Sequence, residues 1–197
     1  MDIKALLDCG DSEIEHLKRQ RESLLAQRRE TDAMIEALDT LLEDAMNDNE
    51  LTLEEVGKIL GDADFAAHQN EAEKRYGDTD DWRESRRRTA AWRAAEWRQN
   101  SERFHDIERR MIDAIRDGAA PDSERAASLV EEHREALSDF FPVTPAKHYI
   151  MSRGYIHDER FREHYDSQQV GFARWLADAI EHVASQQGVD IENPTWE

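Results

Sequence analysis

Residues able to do chemistry are plentiful in this 197-residue chain, but their spacing is not that of a reaction centre. Eight histidines invite a metal hypothesis, yet no two stand at i and i+4 and no HExxH segment occurs. Glu131, Glu132 and His133 could meet His148, His157 and His164 through folding, although nothing in the spacing requires it. Capping or satisfied polar core histidines are the alternative. Cys9, the single cysteine, has no base close by in sequence; it excludes an internal disulfide framework and fits a reducing cytoplasm. There is no glycine-rich phosphate loop and no G-x-S-x-G elbow. With 45 acidic residues, any pair of carboxylates is uninformative. No catalytic residue, metal ligand or cofactor is therefore assigned, and an enzyme is not expected.

Aromatic residues say more. Trp82, Trp92 and Trp97 surround one helix–helix junction, and Phe140, Phe141, Tyr149, Phe161, Tyr165 and Phe172 follow in the later part of the chain. Most must be core, but aromatic-lined clefts suit large, flat, apolar ligands. The junction is Glu71–Trp92. Gly77 is expected to end a helix in the left-handed conformation, and Thr79 to cap the next, with Asp80 and Asp81 in its first turn. Trp82, Ser85, Thr89 and Trp92 then fall on one helical face. Arg86, Arg87 and Arg88 resemble an anion patch, but Asp78, Asp80, Asp81 and Glu84 lie within two turns and make a salt-bridged surface the better reading.

The elements that must position these residues are all helical. Charged residues make up 36% of the chain, with 8 glycines and 4 prolines, and no strand is expected. Thr52-Leu53-Glu54-Glu55 is a capping box opening a helix that Gly61 ends. A second short, weakly apolar helix runs from Asp62 or Asp64 to Gly77; both are marginal without something to pack on. Helices follow over 95–117, from Asp122 or Ser123 to Leu137, from Thr144-Pro145 to Gly154, from Asp158 past Tyr165, and over 170–187. Residues 188–197 are expected to be a loose tail.

Upstream, Ile14, Leu17, Arg21, Leu24, Arg28, Thr31, Ile35, Leu38 and Leu42 step by three and four, a coiled-coil seam over Ser12–Asn47. Ile14, Leu17, Leu24, Ile35, Leu38 and Leu42 are its candidate dimerisation residues, and a homodimer is expected. The domains are thus 1–48, the end of a linker plus the coiled coil; 49–187, a helical domain, ligand-binding if its aromatics line a cleft; and 188–197, the tail. A net charge of −19 argues against direct nucleic-acid binding by this chain. No apolar run is long enough to cross a membrane, and a cytoplasmic location is expected.

EAEKRYGDTDDWRESRRRTA, over 71–90, resembles the signature of the TipA-type antibiotic-recognition domain (TipAS) of MerR-family transcriptional regulators. Later blocks agree in order: Gly118 with Pro121-Asp122-Ser123-Glu124, Leu129 to Arg134, Phe140-Phe141, Thr144-Pro145 with His148, Asp158 to Phe161 with Tyr165-Asp166, and Leu176 to Ile180. The resemblance covers roughly 51–183. It implies a globin-like helical effector domain fed by an antiparallel dimerisation coiled coil. The function implied is binding of bulky drug-like ligands such as thiopeptide antibiotics to switch a promoter, with DNA held by a winged helix-turn-helix N-terminal to Met1. Met1 would then be a truncation point or an internal translation start, and a stand-alone effector domain could sequester drug. Thiopeptide-binding members can carry a cysteine before the Thr-Pro pair; here the position is Val143, which puts covalent capture in doubt. In some members the first effector helices order only around ligand, and the marginal helices over 53–77 fit this. The expected ligand site is Tyr76, Trp82 and Trp92 in a movable lid over Phe140, Phe141 and Tyr149. The alternative is a stress or growth-phase regulator whose helical domain binds a protein partner instead of a drug.

Overall fold

A computed structural model describes residues 51–196, together with residues 17, 18, 20–25, 27, 28, 31 and 35. The chain divides into two compact units, Met1–Asn49 and Glu50–Glu197. In the first, the described residues are helical, and Leu17, Leu24 and Ile35 are more than half exposed. The expected seam residues Ile14, Leu38 and Leu42 lie outside the described residues.

In the second unit every described element is a helix. Thr52 caps α1 (Leu53–Leu60) through the expected box: its hydroxyl accepts from Glu55 N, and Glu55 Oε2 accepts from Thr52 N at 2.8 Å. Gly61 ends the helix at φ +72°. α2 (Phe65–Tyr76) buries none of its residues. Gly77 departs from expectation. Its φ is −54°, ordinary right-handed helix, and a Cβ there would meet the Glu73 carbonyl oxygen at 2.5 Å. Close approach, not a left-handed turn, is what calls for glycine. Thr79 then caps α3 (Asp80–Thr89), accepting from Trp82 N.

α3 stops at Thr89, earlier than the aromatic spacing suggests, so Trp92 sits in a turn and does not share a helical face with Trp82. The reason is local: Glu96 reaches back to Arg93 N at 2.8 Å and starts a new helix, α4 (Ala94–Arg116). Ser123 caps α5 (Glu124–Leu137), and Thr144 with Pro145 at the first position opens α6 (Pro145–His157). α6 runs through Gly154 instead of ending there; the glycine has open space around it and keeps the helical hydrogen bond to Asp158 N. Asp158 caps α7 (Glu159–Gln168), and α8 (Phe172–Gln186) follows Gly171 at φ +82°.

The core lies among α4, α5, α6 and α8. Ile107 and Met111 of α4, Leu129 and Val130 of α5, and Phe172, Leu176 and Ile180 of α8 are at most 3% exposed. Burying side chains of this size contributes about 1.5–3 kcal/mol each before the entropy of ordering them is subtracted. Arg153 ties α6 to α8 by donating to Glu181 Oε2 and the Ala177 carbonyl, both at 2.9 Å. The α1–α2 hairpin packs on α4, where Phe65 meets Trp97, and it buries Val56. Residues 189–196 are not loose. Val189 and Ile191 pack on the core, and Trp196 Nε1 donates to Asp81 Oδ2 at 2.7 Å.

Candidate ligand cleft

Four aromatic rings from four elements converge at the foot of the α1–α2 hairpin. Phe65 opens α2, Trp92 sits in the α3–α4 turn, Trp97 lies in the first turn of α4, and Phe140 follows α5. Trp92 meets Trp97 edge-on at 4.8 Å between centroids and Phe140 at 5.2 Å; Trp97 lies 6.1 Å from Phe65 and 6.2 Å from Phe140. Such edge contacts follow from the ring quadrupole and contribute about 0.5–1.5 kcal/mol per pair beyond burial. Beside them opens a cleft of about 160 Å³ lined by Leu53, Leu60, Phe65, Gln69, Ser85, Arg86, Thr89, Trp97, Asn100 and Phe140.

Polar links hold the turn that carries Phe140. Arg88 donates to the Ser138 carbonyl at 2.7 Å while pairing with Glu84, and Asp139 accepts from Asn100 at 3.2 Å and Arg103 at 3.0 Å. The arginine run is mostly the salt-bridged surface expected of it, with Arg83 on Asp80 and both Arg87 and Arg88 on Glu84. Those hydrogen bonds pull the Glu84 carboxyl down to about 2. Arg86 differs: it lines the cleft and makes no ion pair among the described residues.

Of the six expected ligand residues, the structure brings only Trp92 and Phe140 into one cluster. Tyr76 is half-exposed at the end of α2, its ring beside Arg75. Trp82 is half-buried, in no ring contact with another described residue. Tyr149 is 7% exposed in the core cluster, stacked under Arg153. Phe141 turns the other way from Phe140, toward Trp196 at 6.5 Å. Sequence reasoning did not place Phe65, Arg86 or Asn100 at this cleft. A lone phenylalanine, a surface arginine and an asparagine carry no periodic signal.

A second cleft, about 290 Å³, lies between α4 and α5 and is lined by Arg110, Asp113, Arg125, Ser128 and Leu129. Its guanidinium groups are already engaged, Arg110 by Glu132 at 2.6 and 2.8 Å and Arg125 by Asp117 at 2.7 Å. Little positive charge is left there for an anion.

The histidines converge only in part. His133 Nδ1 and His148 Nε2 are 2.9 Å apart in the core, the rings stacked, with Phe104 and Tyr155 edge-on to His133. One ring must donate and the other accept. Burial pushes His133 down to about 4, and burial plus the neighbouring charges holds His148 well below its ordinary value. His164 stands apart against Glu108 at 3.5 Å. Burial alone raises the Glu108 carboxyl, but the His164 and Gln168 hydrogen bonds outweigh it and leave it below the usual range. Among the described residues no three His, Cys, Asp or Glu side chains gather into a metal site.

The described part of the second unit is thus an all-helical body with an aromatic-lined cleft and polar side chains at its rim. The family of the TipAS antibiotic-recognition domain matches residues 68–183, more than half of the chain, and the chain belongs to that family. The HTH-type transcriptional activator TipA of Streptomyces coelicolor is 29% identical over 181 residues, covering 91% of this chain and 72% of that protein. The HTH-type transcriptional activator mta of Bacillus subtilis is 27% identical over 185 residues, covering 91% and 71%. A solved structure of TipAS in complex with nosiheptide, from a thiopeptide antibiotic resistance system of Streptomyces lividans, superposes with a TM-score of 0.63 at 29% identity. It covers 70% of this chain and 97% of that one.

Proposed function

We propose that this chain is the effector-sensing part of a MerR-type transcriptional activator, and that it binds a bulky thiopeptide-class antibiotic beside Trp92, Trp97, Phe65 and Phe140. The observation that carries the reading is this aromatic cleft, set under a hairpin with little burial of its own, in a chain matched along nearly the full length of a nosiheptide-binding relative. At about 160 Å³ the cleft is smaller than the roughly 300–1,000 Å³ that drug-sized ligands occupy. Binding therefore requires the α1–α2 hairpin to swing away from α4. α2 buries no residue and is tied to the body by the exposed Glu71–Arg160 pair at 2.9 Å and by the Phe65–Trp97 ring contact at 6.1 Å, which the swing exchanges for contact with the ligand. Tyr76 and Trp82 then join the site as the lid moves, whereas Phe141 and Tyr149 stay outside its first layer. Arg86 supplies a charged donor at the rim.

Capture is non-covalent. Val143, at the position before Thr144-Pro145, is 2% exposed, its carbonyl holding Arg134 at 2.6 Å, and it offers no nucleophile. No chemistry on the ligand is needed for a switch that works by differential binding to two conformations. The signal passes to DNA through a partner domain outside this chain, in a cytoplasmic homodimer joined through the segment that carries Leu17, Leu24 and Ile35.

Titration of the chain with nosiheptide, followed by tryptophan fluorescence, tests the reading. A saturable change is expected, at least tenfold weaker in Trp92→Ala, with the free ligand mass recovered after denaturation. No saturable change, or equal binding by Trp92→Ala, would count decisively against it.

A further inference from the structure

The tail ends on a side-chain site that the cleft does not include. Trp196 lays its indole over Phe141 at 6.5 Å and over the Lys147 ammonium at 5.7 Å from its centroid, and donates Nε1–H to Asp81 Oδ2 at 2.7 Å. The parts beneath it belong to other elements. Asp81 sits in the first turn of α3, fixed by the Thr79 cap, and Lys147 in the first turn of α6, fixed by the Thr144 cap. Their ion pair is short, at 2.8 and 2.9 Å, and the lysine side chain is nine-tenths buried. Phe141 stands over the same ammonium at 6.0 Å. The site is thus a flat aromatic wall, a cation beneath a ring face, and a carboxylate oxygen aimed at a ring N–H.

What fills it is held weakly. Trp196 is itself 45% exposed, and Glu192, Asn193 and Thr195 leading to it are exposed. One ring and one hydrogen bond make the anchor, so a free molecule presenting the same two features can replace it without unfolding anything. We propose that Asp81, Phe141 and Lys147 form a second binding site, for indole-type aromatic rings that carry an N–H donor, and that the chain's own Trp196 occupies it as a displaceable internal ligand. Displacement frees the residues after Ile191, which stays packed on the core, and leaves Asp81 bridged to the incoming ring, which couples the site to the position of α3. None of Asp81, Phe141, Lys147 and Trp196 lines the cleft at Trp97 and Phe140. The inference stands apart from the thiopeptide reading and can fail while that one holds.

Fluorine NMR titrations with 5-fluoroindole and 5-fluoro-1-methylindole test it on the full chain and on Trp196→Ala. With the site vacated, 5-fluoroindole is expected to bind at least tenfold more tightly than to the unaltered chain, and at least tenfold more tightly than its N-methyl counterpart. In the unaltered chain, excess 5-fluoroindole should move the indole N–H signal that is missing from Trp196→Phe towards its free position. In that second measurement Trp196→Phe serves only to assign the proton signal, and the chain being titrated is unaltered. Equal affinity with and without Trp196, no preference for the N–H compound, or an unmoved Trp196 signal each overturns the proposal.

Discussion

At the scale of single residues, the buried His133–His148 pair sets the clearest expectation. Both rings are held neutral, His133 at about 4 and His148 well below its ordinary value, while in the unfolded chain each titrates near 6.5. Below that value the unfolded chain takes up protons the folded one refuses, so the stability they contribute is complete above pH 6.5 and is lost as pH falls towards 4. Each ring costs at most about 1.4 kcal/mol per pH unit in that window. His164 works the other way: its hydrogen bond to Glu108 raises it, so its contribution is present at low pH and fades as pH rises. Being half-exposed, it offsets only part of the loss. Thermal unfolding should therefore occur at a clearly lower temperature at pH 5 than at pH 7, and His148→Gln should flatten the difference. An unchanged slope in that variant would mean that other groups govern the acid response.

At the scale of elements, the α1–α2 hairpin is the lid that the proposed function requires to open. α1 is capped, with Thr52 and Glu55 closing a box, but Asp64 makes no side-chain cap to α2, and an eight-residue helix and a twelve-residue helix that buries nothing are marginal alone. The turn between them depends on Gly57, where a Cβ would meet the Asp62 carbonyl at 2.6 Å and Phe65 Cβ at 3.1 Å. Gly57→Ala should force α1 and α2 apart at a cost on the order of 2 kcal/mol. Amide hydrogen exchange over 53–76 should quicken severalfold while α5, α6 and α8 keep their protection. Uniform loosening of the whole unit would contradict a hairpin that opens by itself.

At the scale of the whole molecule, the first unit sets the expectation for assembly. Leu17, Leu24 and Ile35 are exposed at helical positions, in a sequence that repeats apolar residues every three or four positions as a dimerisation seam does. The second unit has its own core and should fold without the first. Sedimentation of the full chain should give twice the chain mass, and removal of residues 1–50 should give a folded monomer. A monomeric full chain would remove the dimer from the account.

Much of the helical framework was legible because its signals are local. Thr52 with Glu55, Thr79, Ser123, Thr144-Pro145 and Asp158 start helices where their side chains can meet orphan amides within three residues, and the stripe Phe172, Leu176, Ile180 and Val183 could face only a core. The sequence by itself therefore determined the all-helical character of the described residues, most helix starts, the salt-bridged arginine surface and the family resemblance. What it could not determine was which aromatics meet. Trp92 left the face of Trp82 because Glu96 capped a new helix, Phe140 and Phe141 turned to opposite sites, Tyr149 went to the core, and Trp196 came back to Asp81. Ring contacts between distant segments leave no period in the sequence. They are decided by how the helices pack, and only the tertiary structure holds that.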